Sequence, residues 1–209
     1  VKQGIDVWHD DVRFFRIEDL HGQLLGEFYL DLYARNGKRG GAWMDECVNR
    51  YVIDGHTQTP VAYLTCNLTP PIGDKPALFT HDEVITLFHE FGHGLHHMLT
   101  RIDVPEVAGI NGVEWDAVEL PSQFMENFAW SFDVLTHCSA HFEHGEPLPR
   151  SLFDKLEKSR HAGAALAAAV DAEAARPVEV DEAAVGTRAS RQRRPWHGGG
   201  RGGDAVPAG

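Results

Sequence analysis

The chain has 209 residues, 43% hydrophobic and 24% charged, the balance of a globular protein long enough for one good core. Nineteen Lys plus Arg against 31 Asp plus Glu leave a formal net charge of -12, which disfavours a broad electrostatic grip on nucleic acid or on an anionic membrane. No run approaches the roughly 18 apolar residues of a membrane helix, and the first residues lack the apolar core of a signal peptide.

The cysteines Cys47, Cys66 and Cys138 are odd in number and far apart, which argues against a disulfide framework and against a thiolate zinc cluster. A reducing, cytoplasmic setting follows as the expectation. The chain does not begin with Met, so it reads as a fragment of a longer protein.

In chain order, residues 12–17 and 24–32 are rich in Phe, Tyr, Val and Ile, with a polar turn at His21-Gly22 between them, and predict a hairpin. Residues 36–41 form a Gly-rich, charged loop, and 48–53 a short strand ended by Asp54-Gly55. Residues 60–68 are β-prone behind a leading proline, which suits a strand start or a sheet edge.

From His81 the texture changes. Val84, Leu87, Phe88, Phe91, Leu95 and Met98 recur at three- and four-residue spacing, the mark of a helix with one buried face. Thr80 suits its N-cap, with Glu83 three residues on as in a capping box. Gly109 and Gly112 predict a loop, and a second helix is expected from Asp116 to Trp130, bent or limited in its first turn by Pro121. A third helix is expected to begin near Pro149-Arg150-Ser151. Beyond about His161, 22 of the last 49 residues are Ala or Gly and large apolar side chains nearly vanish. The expected organisation is therefore a domain over 1–160 and a low-complexity, disordered tail over 161–209.

The sharpest feature is His89-Glu90-Phe91-Gly92-His93. On a helix, residues four apart stand one turn above each other, so both imidazoles can give nitrogen to one tetrahedral Zn2+. Glu90 can then sit beside a zinc-bound water and take its proton. The plain alternative is a set of solvated or packed histidines. His93 and His97 form a second four-residue pair, but Gly94 rather than a Glu follows His93, so that pair would lack a base. For His96 and His97 a packing role is the better expectation.

A catalytic zinc needs a third protein ligand and an open position. Glu106, Glu114, Glu119 and Glu126 are the downstream candidates. Glu106 follows a proline in an expected loop. Glu119 lies in an expected helical, partly apolar run where a carboxylate would want a cation, yet with Asp116 three residues before it Glu119 equally suits a capping box. Glu126, seven residues on, shares the helix face of Glu119 and could hold a ligand histidine from behind or be a solvated surface side chain.

Thr80 through Met98 and Gly112-Val113-Glu114-Trp115-Asp116-Ala117-Val118-Glu119-Leu120-Pro121-Ser122-Gln123-Phe124-Met125-Glu126-Asn127 resemble the active-site region of the thimet oligopeptidase family of zinc metallopeptidases. The likeness extends over about residues 1–160, including Phe28-Tyr29-Leu30-Asp31-Leu32-Tyr33 and Lys38-Arg39-Gly40-Gly41-Ala42-Trp43. It implies an α+β fold, mainly helical, with a partial thermolysin-like zincin core and a small sheet beside the metal-bearing helix. It also implies one Zn2+ per chain on His89, His93 and Glu119, with Glu90 as general base in the hydrolysis of short oligopeptides. Short peptides are then the partners, without nucleic acid or membrane, and a monomer is the expected state.

Residues 60–68 are the candidate edge strand for pairing with a peptide backbone, and no substrate-binding side chain is singled out. The family's C-terminal substrate and oxyanion motif has no counterpart in this sequence. The Ala/Gly/Arg/Pro tail reads as the product of a frameshift or misjoined reading frame, with a natural linker as the alternative, and without the family's C-terminal motif the chain alone is expected to be a nearly inactive zinc-binding fragment.

Overall fold

The computed structural model describes residues 4–160, and the expected tail, 161–209, lies outside the described residues. Within 4–160 the fold is an α+β fragment: a small mixed sheet with one long helix against it and three short helices following. Strands β1 (Arg13–Glu18) and β2 (Leu24–Tyr33) form the expected antiparallel hairpin. β3 (Trp43–Val48) comes next, then a two-stranded ribbon of β4 (Tyr51–Ile53) and β5 (His56–Gln58), then β6 (Val61–Leu68).

The main sheet has the order β1-β2-β6-β3, with β6 parallel to β2 and antiparallel to β3. Two expectations are corrected here. The strand expected over 48–53 is instead the last residue of β3 and the whole of β4, separated at Asn49-Arg50. β6 is an interior strand, not an edge: it is buried on both faces at Val61, Ala62, Leu64, Thr65, Cys66 and Leu68, and among the described residues the free edge beside it is β3. Pro60 precedes β6 rather than capping an edge, and its carbonyl accepts from the Glu27 amide.

Helix α1 (His81–Met98) starts as the sequence suggests: Thr80 accepts from the Glu83 amide and the Glu83 carboxylate accepts from the Thr80 amide, closing the capping box. Its apolar stripe packs on the sheet, where Phe28, Ala62, Leu64 and Met98 form the core with Phe15, Ile17, Leu30, Met44 and Phe91 around them. Gly94 allows this approach, because a Cβ there would stand 2.9 Å from Leu64 Cδ2. At the centre of this contact Leu64 is almost fully buried, so Leu64→Ala would cost about 2–5 kcal/mol.

The opposite face of the sheet carries Tyr29 and Tyr63 under Trp8, with a buried charge cluster beyond them. Arg35 grips Asp31 with two hydrogen bonds of 2.6 and 2.8 Å, Lys38 adds one of 2.9 Å, and the Trp8 indole donates at 3.0 Å. The helix expected from Asp116 to Trp130 is shorter. Residues 115–119 form turns, α2 runs from Leu120 to Glu126, and Asn127–Trp130 is a 3-10 turn. Pro121 sits in the first turn of α2, where no amide donor is needed, and so marks the start of the helix rather than a bend within it. A helix the sequence reading missed, α3 (Phe132–Cys138), precedes α4 (150–160).

Candidate metal centre

Helix α1 presents His89, Glu90 and His93 on adjoining turns, and α2 brings Glu119 to them from outside. Their rings stand 5.0 Å apart, and the Nε2 atoms of His89 and His93 each lie 3.1 Å from Glu119 Oε2. One ligand atom from each of the three side chains lies within 4.8 Å of the others. Tetrahedral zinc with bonds near 2.0–2.1 Å spaces its donors about 3.3 Å apart, so the two 3.1 Å separations from Glu119 Oε2 fit that shell.

Protonation makes the fit sharper. His89 Nδ1 is 2.7 Å from Glu126 Oε1, and since a carboxylate only accepts, Nδ1 carries the proton. In the neutral ring Nε2 then holds a lone pair that faces another acceptor, Glu119 Oε2. A cation between them, or a proton on the second nitrogen, removes that repulsion. His93 Nδ1 is buried with no hydrogen-bond partner among the described residues, and burial lowers the pKa of this ring, which favours the neutral form a metal requires.

Two residues that sequence reading did not single out hold Glu119 in place. Ser122 Oγ, fully buried, lies 2.9 Å from both Glu119 Oε2 and the Glu119 carbonyl oxygen. That hydrogen bond is also the main reason the Glu119 carboxyl is lowered below its ordinary value. Gly92 lets the two helices touch: a Cβ there would fall 2.5 Å from Ser122 Cα and 2.6 Å from the Pro121 carbonyl oxygen. The readable signal was Gly92 itself, a poor helix former in the middle of a helix. At the far end, His81 Nε2 lies 2.8 Å from the Ala129 carbonyl oxygen and its ring meets Trp130 edge-on, tying the 3-10 turn after α2 to the start of α1.

Glu90 is buried beside this group. Burial, the largest influence, pushes its carboxyl up; the neighbouring His89 pulls it down, Glu119 adds to the rise, and a hydrogen bond accepted from the Met44 backbone amide on β3 opposes it. The free edge of the sheet therefore adjoins Glu90.

The remaining candidates lie elsewhere. Glu106 is exposed in a 3-10 turn (Pro105–Val107) and Glu114 is exposed in the turns before α2. The capping box considered for Asp116 and Glu119 is not formed among the described residues, because α2 starts only at Leu120: Asp116 lies in the turns before it and Glu119 itself stands at the N-cap. His97 is fully buried with Nε2 3.1 Å from the Val48 carbonyl oxygen, the packing role expected of it.

This arrangement sits in a chain with clear relatives. Peptidase family M3 matches residues 1–176. Oligopeptidase A of Haemophilus influenzae and oligopeptidase A of Escherichia coli are each 63% identical over 166 residues, covering 79% of this chain and 24% of their own length. The thimet-like oligopeptidase of Dictyostelium discoideum is 39% identical over 164 residues, 76% of this chain and 24% of its own. The chain belongs to peptidase family M3, as the resemblance over residues 80–127 implied. It is a partial chain, spanning about a quarter of the length of these relatives.

Proposed function

We propose that this chain carries the zinc-binding and water-activating part of an endopeptidase that hydrolyses short oligopeptides, within a partial thermolysin-like zincin core. His89, His93 and Glu119 hold one Zn2+, and Glu126 orients His89 from behind. The observation that carries this reading is the approach of both Nε2 atoms to one oxygen of Glu119, with the buried Glu90 beside them. When bound, zinc supplies a Lewis acid that polarises a peptide carbonyl and acidifies water.

Glu90 takes the proton from the attacking water and delivers it to the departing amine. Its raised pKa, due first to burial, suits a group that must both accept and return a proton. Peptide binding is assigned to the free edge of β3 rather than to β6, because β3 has an open hydrogen-bonding side and adjoins Glu90. The free state of all three cysteines supports a reducing, cytoplasmic setting. Among the described residues no helix is long and apolar enough to cross a membrane.

A second reading, a zinc-binding fragment without turnover, rests on the three candidate ligands His89, His93 and Glu119, which form a metal group without Glu90. Cleavage of a short internally quenched peptide by the zinc-loaded chain, beside Glu90→Gln, separates the two. Hydrolysis that Glu90→Gln abolishes supports the enzyme. Zinc binding without hydrolysis supports the fragment.

A further inference from the structure

A second group of metal-binding side chains lies in the loop between α3 and α4 and shares no residue with the first: His141, Glu143 and His144. The loop is closed on itself. The His141 amide donates to the Glu146 carbonyl at 2.7 Å, and the Gly145 amide to the His141 carbonyl at 2.8 Å. This brings the imidazoles of His141 and His144 into a stack, centroids 4.6 Å apart and planes 6° from parallel. His144 Nε2 stands 3.8 Å from Glu143 Oε2, and one ligand atom from each of the three side chains lies within 4.8 Å of the others.

The His141 ring also offers a nitrogen as an acceptor. Its Nδ1 accepts from the amides of Glu143 and His144 at 3.3 and 3.4 Å, so the lone pair is on Nδ1. Bonds that long are weak, and both amides lie on an exposed loop where water can replace the ring. A metal at that nitrogen therefore displaces little. The two rings lie in nearly parallel planes, so one must turn out of the stack before both nitrogens face one ion, a movement that exposed side chains allow.

We propose that His141, Glu143 and His144 form a second, weaker site for a divalent borderline transition-metal ion, with water completing the shell. Two imidazoles and one carboxylate favour zinc, nickel or copper over magnesium or calcium, which prefer all-oxygen shells. The site is weaker than the α1–α2 site because three exposed side chains lose rotamer freedom on binding, whereas the first group is already held by Ser122, Glu126 and burial. Occupancy would staple the α3–α4 loop and raise the metal count at saturating zinc from one to two.

The test is calorimetric titration of the metal-free full chain with Zn2+ alone, with Cu2+-induced broadening of the His141 and His144 ring signals as the local readout. The native chain should show two classes of site, with both rings broadened by Cu2+ once the first class is filled. His144→Gln and, separately, Glu143→Gln leave the loop hydrogen bonds of His141 in place. Each should weaken the second class roughly tenfold or more and leave the first unchanged. A His89→Ala/His93→Ala variant should keep the second class, so failure of the first site does not decide this one. Loss of all zinc binding in the His89→Ala/His93→Ala variant, or a loop class undiminished in both His144→Gln and Glu143→Gln, overturns the proposal.

Discussion

Single side chains control how tightly the proposed zinc is held. The 2.7 Å contact between His89 and Glu126 fixes the proton on Nδ1 and leaves Nε2 as the donor. Glu126→Gln keeps the shape but removes the charge, and the expected result is a ten- to hundredfold loss of zinc affinity, about the usual effect of such partners, with the fold intact by circular dichroism. Asp31 tests a different property. Burial alone would raise its carboxyl, but the hydrogen bonds from Arg35, Lys38 and Trp8 outweigh it and hold the group well below the usual carboxylate range. A folded-state pKa below the unfolded one gives stability that is complete above about pH 4 and is lost as pH falls through the folded value. Denaturant titrations below pH 4 should show that loss. Asp31→Asn should remove this part of the acid dependence. It should also cost about 3 kcal/mol or more at pH 7, because Lys38 is left buried without its partner.

At the scale of elements, the centre depends on how closely α1 and α2 approach. Gly92→Ala would force a Cβ to within 2.5 Å of the Ser122 backbone, so α2 must move away and carry Glu119 with it. The expected cost is about 1–3 kcal/mol of stability together with a clear loss of zinc affinity, measured by chemical denaturation and by competition with a chelator. Gly94→Ala, which meets Leu64 instead, should destabilise with far less effect on zinc. Comparable zinc loss in both variants would contradict this assignment of Gly92. The same contrast explains what was legible in the sequence. Helix α1 was readable because its cap, stripe and His-Glu pair are all local. Glu119 stayed ambiguous because its place depends on the contact of Gly92 with Ser122, which no local spacing encodes. β3 was missed because its middle residues, Asp45 and Glu46, are exposed on a free edge and interrupt the apolar alternation. In β6 the burial of both faces was written in a nearly continuous run of apolar and small residues, and Pro60 drew attention away from it.

For the molecule as a whole, two apolar surfaces of the described part stand open. One is a cleft of about 460 Å³ beside α1 lined by Phe15, Phe28, Leu30, Phe79, Phe88 and Phe91. The other is a cleft of about 650 Å³ behind α2 whose wall includes Leu95, Phe124 and Met125. Surfaces of this kind bind 1-anilinonaphthalene-8-sulfonate, so the native chain should enhance its fluorescence without denaturant. The proposed division at residue 160 gives a further expectation: a chain ended at Arg160 should keep the zinc content and the thermal midpoint of the 209-residue form. Unfolding on that truncation would make the segment 161–209 part of the domain.

The central claim is that His89, His93 and Glu119 bind the metal and that Glu90, although adjacent, does not. It is tested most directly by the zinc content of the native chain and four variants after exhaustive dialysis into zinc-free buffer, which empties weak surface sites. The native chain and Glu90→Gln should each retain about one zinc, while His89→Ala, His93→Ala and Glu119→Ala should retain almost none, because two remaining protein ligands hold zinc poorly. Full retention in Glu119→Ala, or loss in Glu90→Gln, would contradict the assignment.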